Sequence, residues 1–240
     1  MTKTLRVFGD SFSTPYFCVT PADSFWGLIG KHIEAKLIVN YSQTGMSFEQ
    51  ILHIICNETF NFQTDYFVIG VPPVARISTI QPGARHTYSI FDSTFKENKM
   101  NMDVISETNQ HDFAEIFVES KMFIASHNQL WLETKTCDLI YLLYNYLKNQ
   151  NAKFLILNLT IPFYYDPYWP VSKSIMQFLK TIPECILFDD TYFSTNKQSG
   201  IKPVDRDPND LDCWFGHHGA EGNHNWFNKI LKNKINGLKW

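Results

Sequence analysis

The sequence predicts an α/β domain built on a mainly parallel sheet with helices on both faces. Three observations carry this. Short apolar runs alternate with amphipathic segments as β-α-β-α-β across residues 5–71. The same alternation resumes with the runs at 153–161 and 185–190. The 240 residues are 44% hydrophobic, enough for one large core, so a single domain over 1–240 is expected.

The elements follow in order. "LRVFG" (5–9) is a buried first strand that ends in Gly. "SFWGLIGKHI" (24–33) has apolar residues at helical spacing. "AKLIVNYS" (35–42) reads as the second strand, and "SFEQILHIICNE" (47–58) as a helix with Ser47 at its N-cap. "DYFVIGV" (65–71) is the third strand. Residues 74–110 then break the rhythm with prolines and polar residues and read as an insertion near the sheet edge, with "TYSIF" (87–91) as an extra strand inside it. Residues 112–150 predict one or two long helices, 153–161 a strand, 171–182 a helix and 185–190 a last strand. Residues 194–212 are polar and hold Pro203 and Pro208, so they read as a loop, and 220–235 as the closing helix.

Composition excludes several classes. The formal charge is −3 without a charged block, which argues against nucleic acid as an obligatory partner. Five cysteines without CxxC spacing read as reduced thiols. No signal segment opens the chain and no apolar run reaches about 18 residues. The expectation is a soluble, cytoplasmic protein with no membrane partner.

The turn "GDS" (9–11) follows the first strand and presents Ser11 where open α/β sheets bind ligands, at the carboxyl ends of their strands. Gly9 allows an unusual backbone angle or a close approach. A serine hydroxyl needs a base to become a nucleophile, and the competing reading of Ser11 is a cap for the next segment. "DLDCWFGHHGAEGNHNWF" (210–227) places His217 and His218 in a Gly-bounded loop before the last helix, a position more often functional than structural. A metal reading of His217, His218 and His224 with Cys213, Asp212 and Glu221 is weaker, because the spacing only touches the edge of zinc patterns; no cofactor is expected.

Together these segments resemble the GDSL/SGNH hydrolase family. The first block reads "VFGDSFS", with Ser11 at the nucleophile. "VNYSQTGMS" matches the second block, with Gly45 as the backbone donor that, with the Ser11 N–H, forms the oxyanion hole. Counting back five from Gly222, with Trp226 following it, makes His217 the general base and His218 its neighbour. The resemblance implies a three-layer α/β/α, flavodoxin-like sheet of five strands in the order 2-1-3-4-5. It also implies ester hydrolysis by a serine mechanism.

Two departures stand out. Pro72 and Pro73 fall where the family's third block has Asn-Asp, and losing one oxyanion donor typically costs about 100- to 1000-fold in turnover. Arg76 is either a substitute donor or an ordinary surface arginine. Trp214 stands three before His217 where an acid is usual; Asp212 is assigned the orienting role, with Asp210 and Asp207 further upstream. The loop "IPFYYDPYWP" (161–170) offers Tyr165 and Trp169 as flat faces for a sugar or acyl group, or as simple packing. The expected substrate is a small-molecule ester or an O-acetylated carbohydrate. The alternative is a binding or structural module that has lost catalysis, as in a virus particle.

Overall fold

The computed structural model describes residues 2–14, 20–43, 46–72, 76–81, 84–89, 129–160, 173–205, 216–238 and 240. Five strands form one parallel sheet: β1 (Thr4–Phe8), β2 (Leu37–Asn40), β3 (Asp65–Val71), β6 (Lys153–Asn158) and β7 (Cys185–Ile186). Their order is β2-β1-β3-β6-β7, the expected 2-1-3-4-5 arrangement. The register pairs Thr4 with Leu37 and with Asp65, Tyr66 with Lys153, and Ile156 with Cys185. All five strands therefore point the same way and share one carboxyl edge.

Strand alternation divides the core in two. Phe8, Phe67, Ile69, Phe154 and Ile156 face α2 (Phe48–Asn57), α3 (Gln129–Asn149) and α4 (Lys173–Thr181). Leu5, Val7, Tyr66, Val68, Leu155 and Leu157 face the other way. There they meet α1 (Phe25–His32), α6 (Gly219–Trp226), a π-helical turn at Phe227–Leu231 and α7 (Lys232–Leu238). Both faces of each central strand are apolar, as a parallel sheet covered on two sides requires. The three layers follow from this period of two.

Local signals start the helices where expected. The Ser24 hydroxyl accepts the Gly27 N–H at 3.0 Å and opens α1. Ser47 and Gln50 form a reciprocal capping box on α2. Two asparagines end strands. Asn40 Oδ1 accepts the Ser42 N–H at 2.9 Å, and Asn158 Oδ1 accepts the Thr160 N–H at 2.9 Å, each turning the chain away from the sheet. β2 and β6 are accordingly shorter than their apolar runs. β7 is also shorter than 185–190, and just beyond it the Leu187 carbonyl accepts the Asn158 side-chain amide at 3.0 Å.

Two expectations change. A helix, α5 (Tyr192–Gln198), occupies part of the stretch read as a loop from 194. Thr191 caps it by accepting the Ser194 N–H at 3.2 Å, and Gly200 follows its end at φ 73°. The buried residues Tyr192, Thr195 and Asn196 give it a mixed inner face, so no apolar period marked it. The expected extra strand is one arm of an antiparallel hairpin, β4 (Arg76–Gln81) with β5 (Ala84–Ser89), separate from the main sheet. No described helix is long and apolar enough to cross a membrane.

Gly9 serves close packing rather than an unusual angle. A Cβ built there would stand 2.2 Å from Ser13 Oγ and 2.8 Å from Ser13 Cβ. Gly9→Ala is expected to cost about 1–3 kcal/mol by overpacking, read as a lower urea midpoint. The same change made in a Ser13→Gly background should cost less than half as much, since the obstructing side chain is gone.

Candidate active site

The turn after β1 is held from several sides. Asp10 Oδ1 accepts the Phe12 N–H at 3.1 Å and caps a single 3₁₀ turn, Ser11–Ser13. The Ser11 carbonyl accepts the Thr14 hydroxyl at 2.7 Å. The Ser13 carbonyl accepts two buried or half-buried donors, Trp26 Nε1 and Asn40 Nδ2, both at 2.8 Å. Trp26 belongs to α1 and Asn40 to the end of β2, so the neighbouring elements fix the backbone that carries Ser11. Ser11 itself is 8% exposed.

His217 returns to this turn from the far end of the chain. Its imidazole stacks on the Phe12 ring, with centroids 4.3 Å apart and planes 25° from parallel. Phe12 in turn meets Tyr192 edge-on at 6.2 Å. The last loop and the turn after the first strand thus meet at Phe12, the residue that follows Ser11.

The carboxylate that pairs with His217 is Asp205. Its Oδ2 lies 2.7 Å from His217 Nδ1, and its Oδ1 accepts the His217 backbone N–H at 2.9 Å. The Val204 N–H also donates to the His217 carbonyl at 2.7 Å, so the two segments are joined by backbone as well. A carboxylate at Nδ1 keeps the proton there and leaves Nε2 as the basic nitrogen. Partial burial pushes Asp205 up, but hydrogen bonds from the His217 ring and backbone outweigh it and hold the carboxyl below its usual range. Asp212, expected in this role, lies outside the described residues, and it is Asp205 that stands at Nδ1. An acid twelve positions before the histidine has no fixed spacing to betray it.

His218 has a different environment. It is 1% exposed, its backbone N–H donates to Tyr192 Oη at 3.2 Å, and its ring meets Tyr192 edge-on at 5.2 Å. Neither ring nitrogen makes a well-formed hydrogen bond among the described residues, and only the Gly216 backbone supports the ring. Burial pushes its pKa down to about 4, against the opposing pull of Asp205. Gly222 makes room for it: a Cβ there would stand 2.2 Å from His218 Cβ. The geometry separates the two histidines, giving His217 the carboxylate and leaving His218 neutral in the core. His224 faces Asp23 instead, at 3.2 Å.

Gly45, Tyr165 and Trp169 lie outside the described residues, and of Arg76 only its place at the start of β4 is described. Pro72 follows β3 directly and is buried. Among the described residues no three His, Cys, Asp or Glu side chains are grouped to hold a metal ion.

No family model matches the sequence, and no curated protein matches it. Among solved structures, the chain is similar to a member of the lipolytic protein G-D-S-L family from Veillonella parvula DSM 2008 at 12% identity. The TM-score is 0.46, over 96% of this chain and 97% of that one. It is similar to the lipase Lip_vut3 from a goat rumen metagenome at 11% identity and a TM-score of 0.46, covering 99% and 97%. It is similar to TesA at 13% identity and a TM-score of 0.45, covering 98% and 99%. The strand order implied by the GDSL/SGNH resemblance is the order observed.

The His218 environment has a consequence for stability. Its folded pKa of about 4 lies below its ordinary 6.5, so the unfolded chain binds the proton first as pH falls. Stability is therefore full above pH 6.5 and is lost down to about pH 4, by up to roughly 3 kcal/mol. Urea unfolding across that window should show a shallower slope with pH in His218→Gln than in the wild type. Asp205, held below its ordinary range, contributes its own loss only at more acid pH.

Proposed function

We propose that the chain is a serine-dependent ester hydrolase. The observation that carries this reading is the Asp205–His217 pair, brought by the Phe12 stack to the turn that bears Ser11. In this mechanism Ser11 Oγ attacks the acyl carbonyl while His217 Nε2 takes its proton. The backbone N–H groups of Ser11 and Gly45 hold the tetrahedral oxyanion. Asp205 keeps the imidazole in its reactive tautomer and stabilises the imidazolium that forms. The imidazolium then returns the proton to the departing alcohol. Water attacks the acyl-enzyme with His217 again as base, and Ser11 is restored as the acid leaves.

The substrate proposed is an acyl ester, with an O-acetylated carbohydrate preferred. Tyr165 and Trp169 in the aromatic loop supply the flat faces for such a ring, and Arg76 the positive donor where the third block lacks its Asn. This preference rests on residue type and place in the chain.

A fluorophosphonate probe tests the mechanism. The folded wild type should be labelled at Ser11, and Ser11→Ala and His217→Ala should each abolish labelling. Asp205→Asn should slow hydrolysis of p-nitrophenyl acetate by roughly 10³- to 10⁴-fold, because the amide favours the wrong tautomer. Asp212→Asn should change it by less than about threefold, below 1 kcal/mol of barrier. No labelling of the folded wild type, with no ester hydrolysis, would return the chain to the class of binding modules.

A further inference from the structure

We propose that Phe12 is a positioning residue whose aromatic face holds the His217 imidazole and favours it most strongly when that ring carries the proton taken from Ser11. The inference rests on the hydrolase reading and adds to it a residue that acts through the His217 ring.

Three observations support it. The rings stack face to face, 4.3 Å between centroids and 25° between planes, which places the imidazole over the electron-rich face of Phe12 rather than at its edge. The Phe12 ring is itself braced edge-on by Tyr192, which meets His218 and Trp226 in the same way at 5.2 and 5.4 Å. The Phe12 backbone N–H is tied to Asp10 Oδ1, so the ring is carried by the same turn that presents Ser11.

The chemistry follows from the charge change. In the form that can accept a proton the imidazole is neutral, and its contact with Phe12 is ordinary ring packing. As Nε2 gains the Ser11 proton the ring becomes a cation, which an aromatic face attracts more strongly. An interaction within the protein that grows toward the transition state raises turnover, whereas one equal in both states leaves the barrier unchanged. Among the described residues, Asp205 stands at Nδ1 of the imidazole and His218 is the next residue in the chain. Asp205 fixes the ring through one edge, and Phe12 supports its flat side.

The test varies the face and keeps the shape. Phe12 is replaced by fluorinated phenylalanines, up to pentafluorophenylalanine, and by Tyr and Leu. The rate of fluorophosphonate labelling at Ser11, in which fluoride leaves as the Ser11 proton passes to His217, is measured alongside kcat and KM for p-nitrophenyl acetate. Labelling and kcat should fall stepwise with fluorination, reaching roughly 3- to 30-fold for pentafluorophenylalanine and Leu, while KM stays put and Tyr retains near-full rate. In the proton spectrum, the His217 Cε1–H signal should be displaced by the Phe12 ring current and lose that displacement in Phe12→Leu.

Rates that ignore fluorination in a normally labelled protein, or full activity in Phe12→Leu, overturn the inference and leave the hydrolase reading intact. An unchanged His217 signal in Phe12→Leu overturns the stack itself. A folded wild type that takes no label fails at the hydrolase reading, and this inference falls with it.

Discussion

The stacked contact between Phe12 and His217 joins the two ends of the chain, and the arrangement of the carboxyl edge depends on it. Phe12 belongs to the turn after the first strand, whereas His217 comes from a loop more than two hundred residues later. The imidazole has two supports that act in different directions. Asp205 grips Nδ1 and the backbone N–H in one plane, and Phe12 bears on the ring face. A group supported along its edge and on its flat side has little freedom to rotate, which suits the role of base proposed for it.

Behind this pair lies a cluster organised by Tyr192. Its ring touches Phe12, His218 and Trp226 edge-on, and its hydroxyl accepts the His218 N–H. Trp226 Nε1 donates to the Asp190 carbonyl at 2.8 Å, tying α6 to the segment that leads into α5. Gly222 lets His218 press against α6, and Gly9 lets Ser13 fold back under β1. The two glycines therefore act alike at opposite ends of the chain. Each gives up a side chain so that a neighbour of a proposed catalytic residue can be buried.

The fold was largely legible in the sequence because a parallel sheet covered on both faces leaves uninterrupted apolar runs. "DYFVIGV" matched β3 residue for residue, and Ser47, read as an N-cap, opens α2. What escaped was polar and local. Asn40 and Asn158 ended strands by side-chain bonds that no hydropathy pattern registers. α5 hid because Thr195 and Asn196 are buried through hydrogen bonding and packing among polar neighbours rather than through apolar periodicity. In the candidate site, Ser11 and His217 could be singled out as candidates by short motifs. Asp205 could not, since it reaches the imidazole across space and the intervening residues carry other acids, Asp207, Asp210 and Asp212, that look equally suitable on paper.

Val204 and Asp205 are clasped to His217 at the mouth of the stretch that separates them. The imidazole is therefore held by contacts at Val204, Asp205 and His217 themselves, and the pairing does not depend on a set interval between carboxylate and histidine. A sequence profile that demands a set interval between acid and histidine passes over chains assembled in this manner, whereas a search for the paired ends would find them.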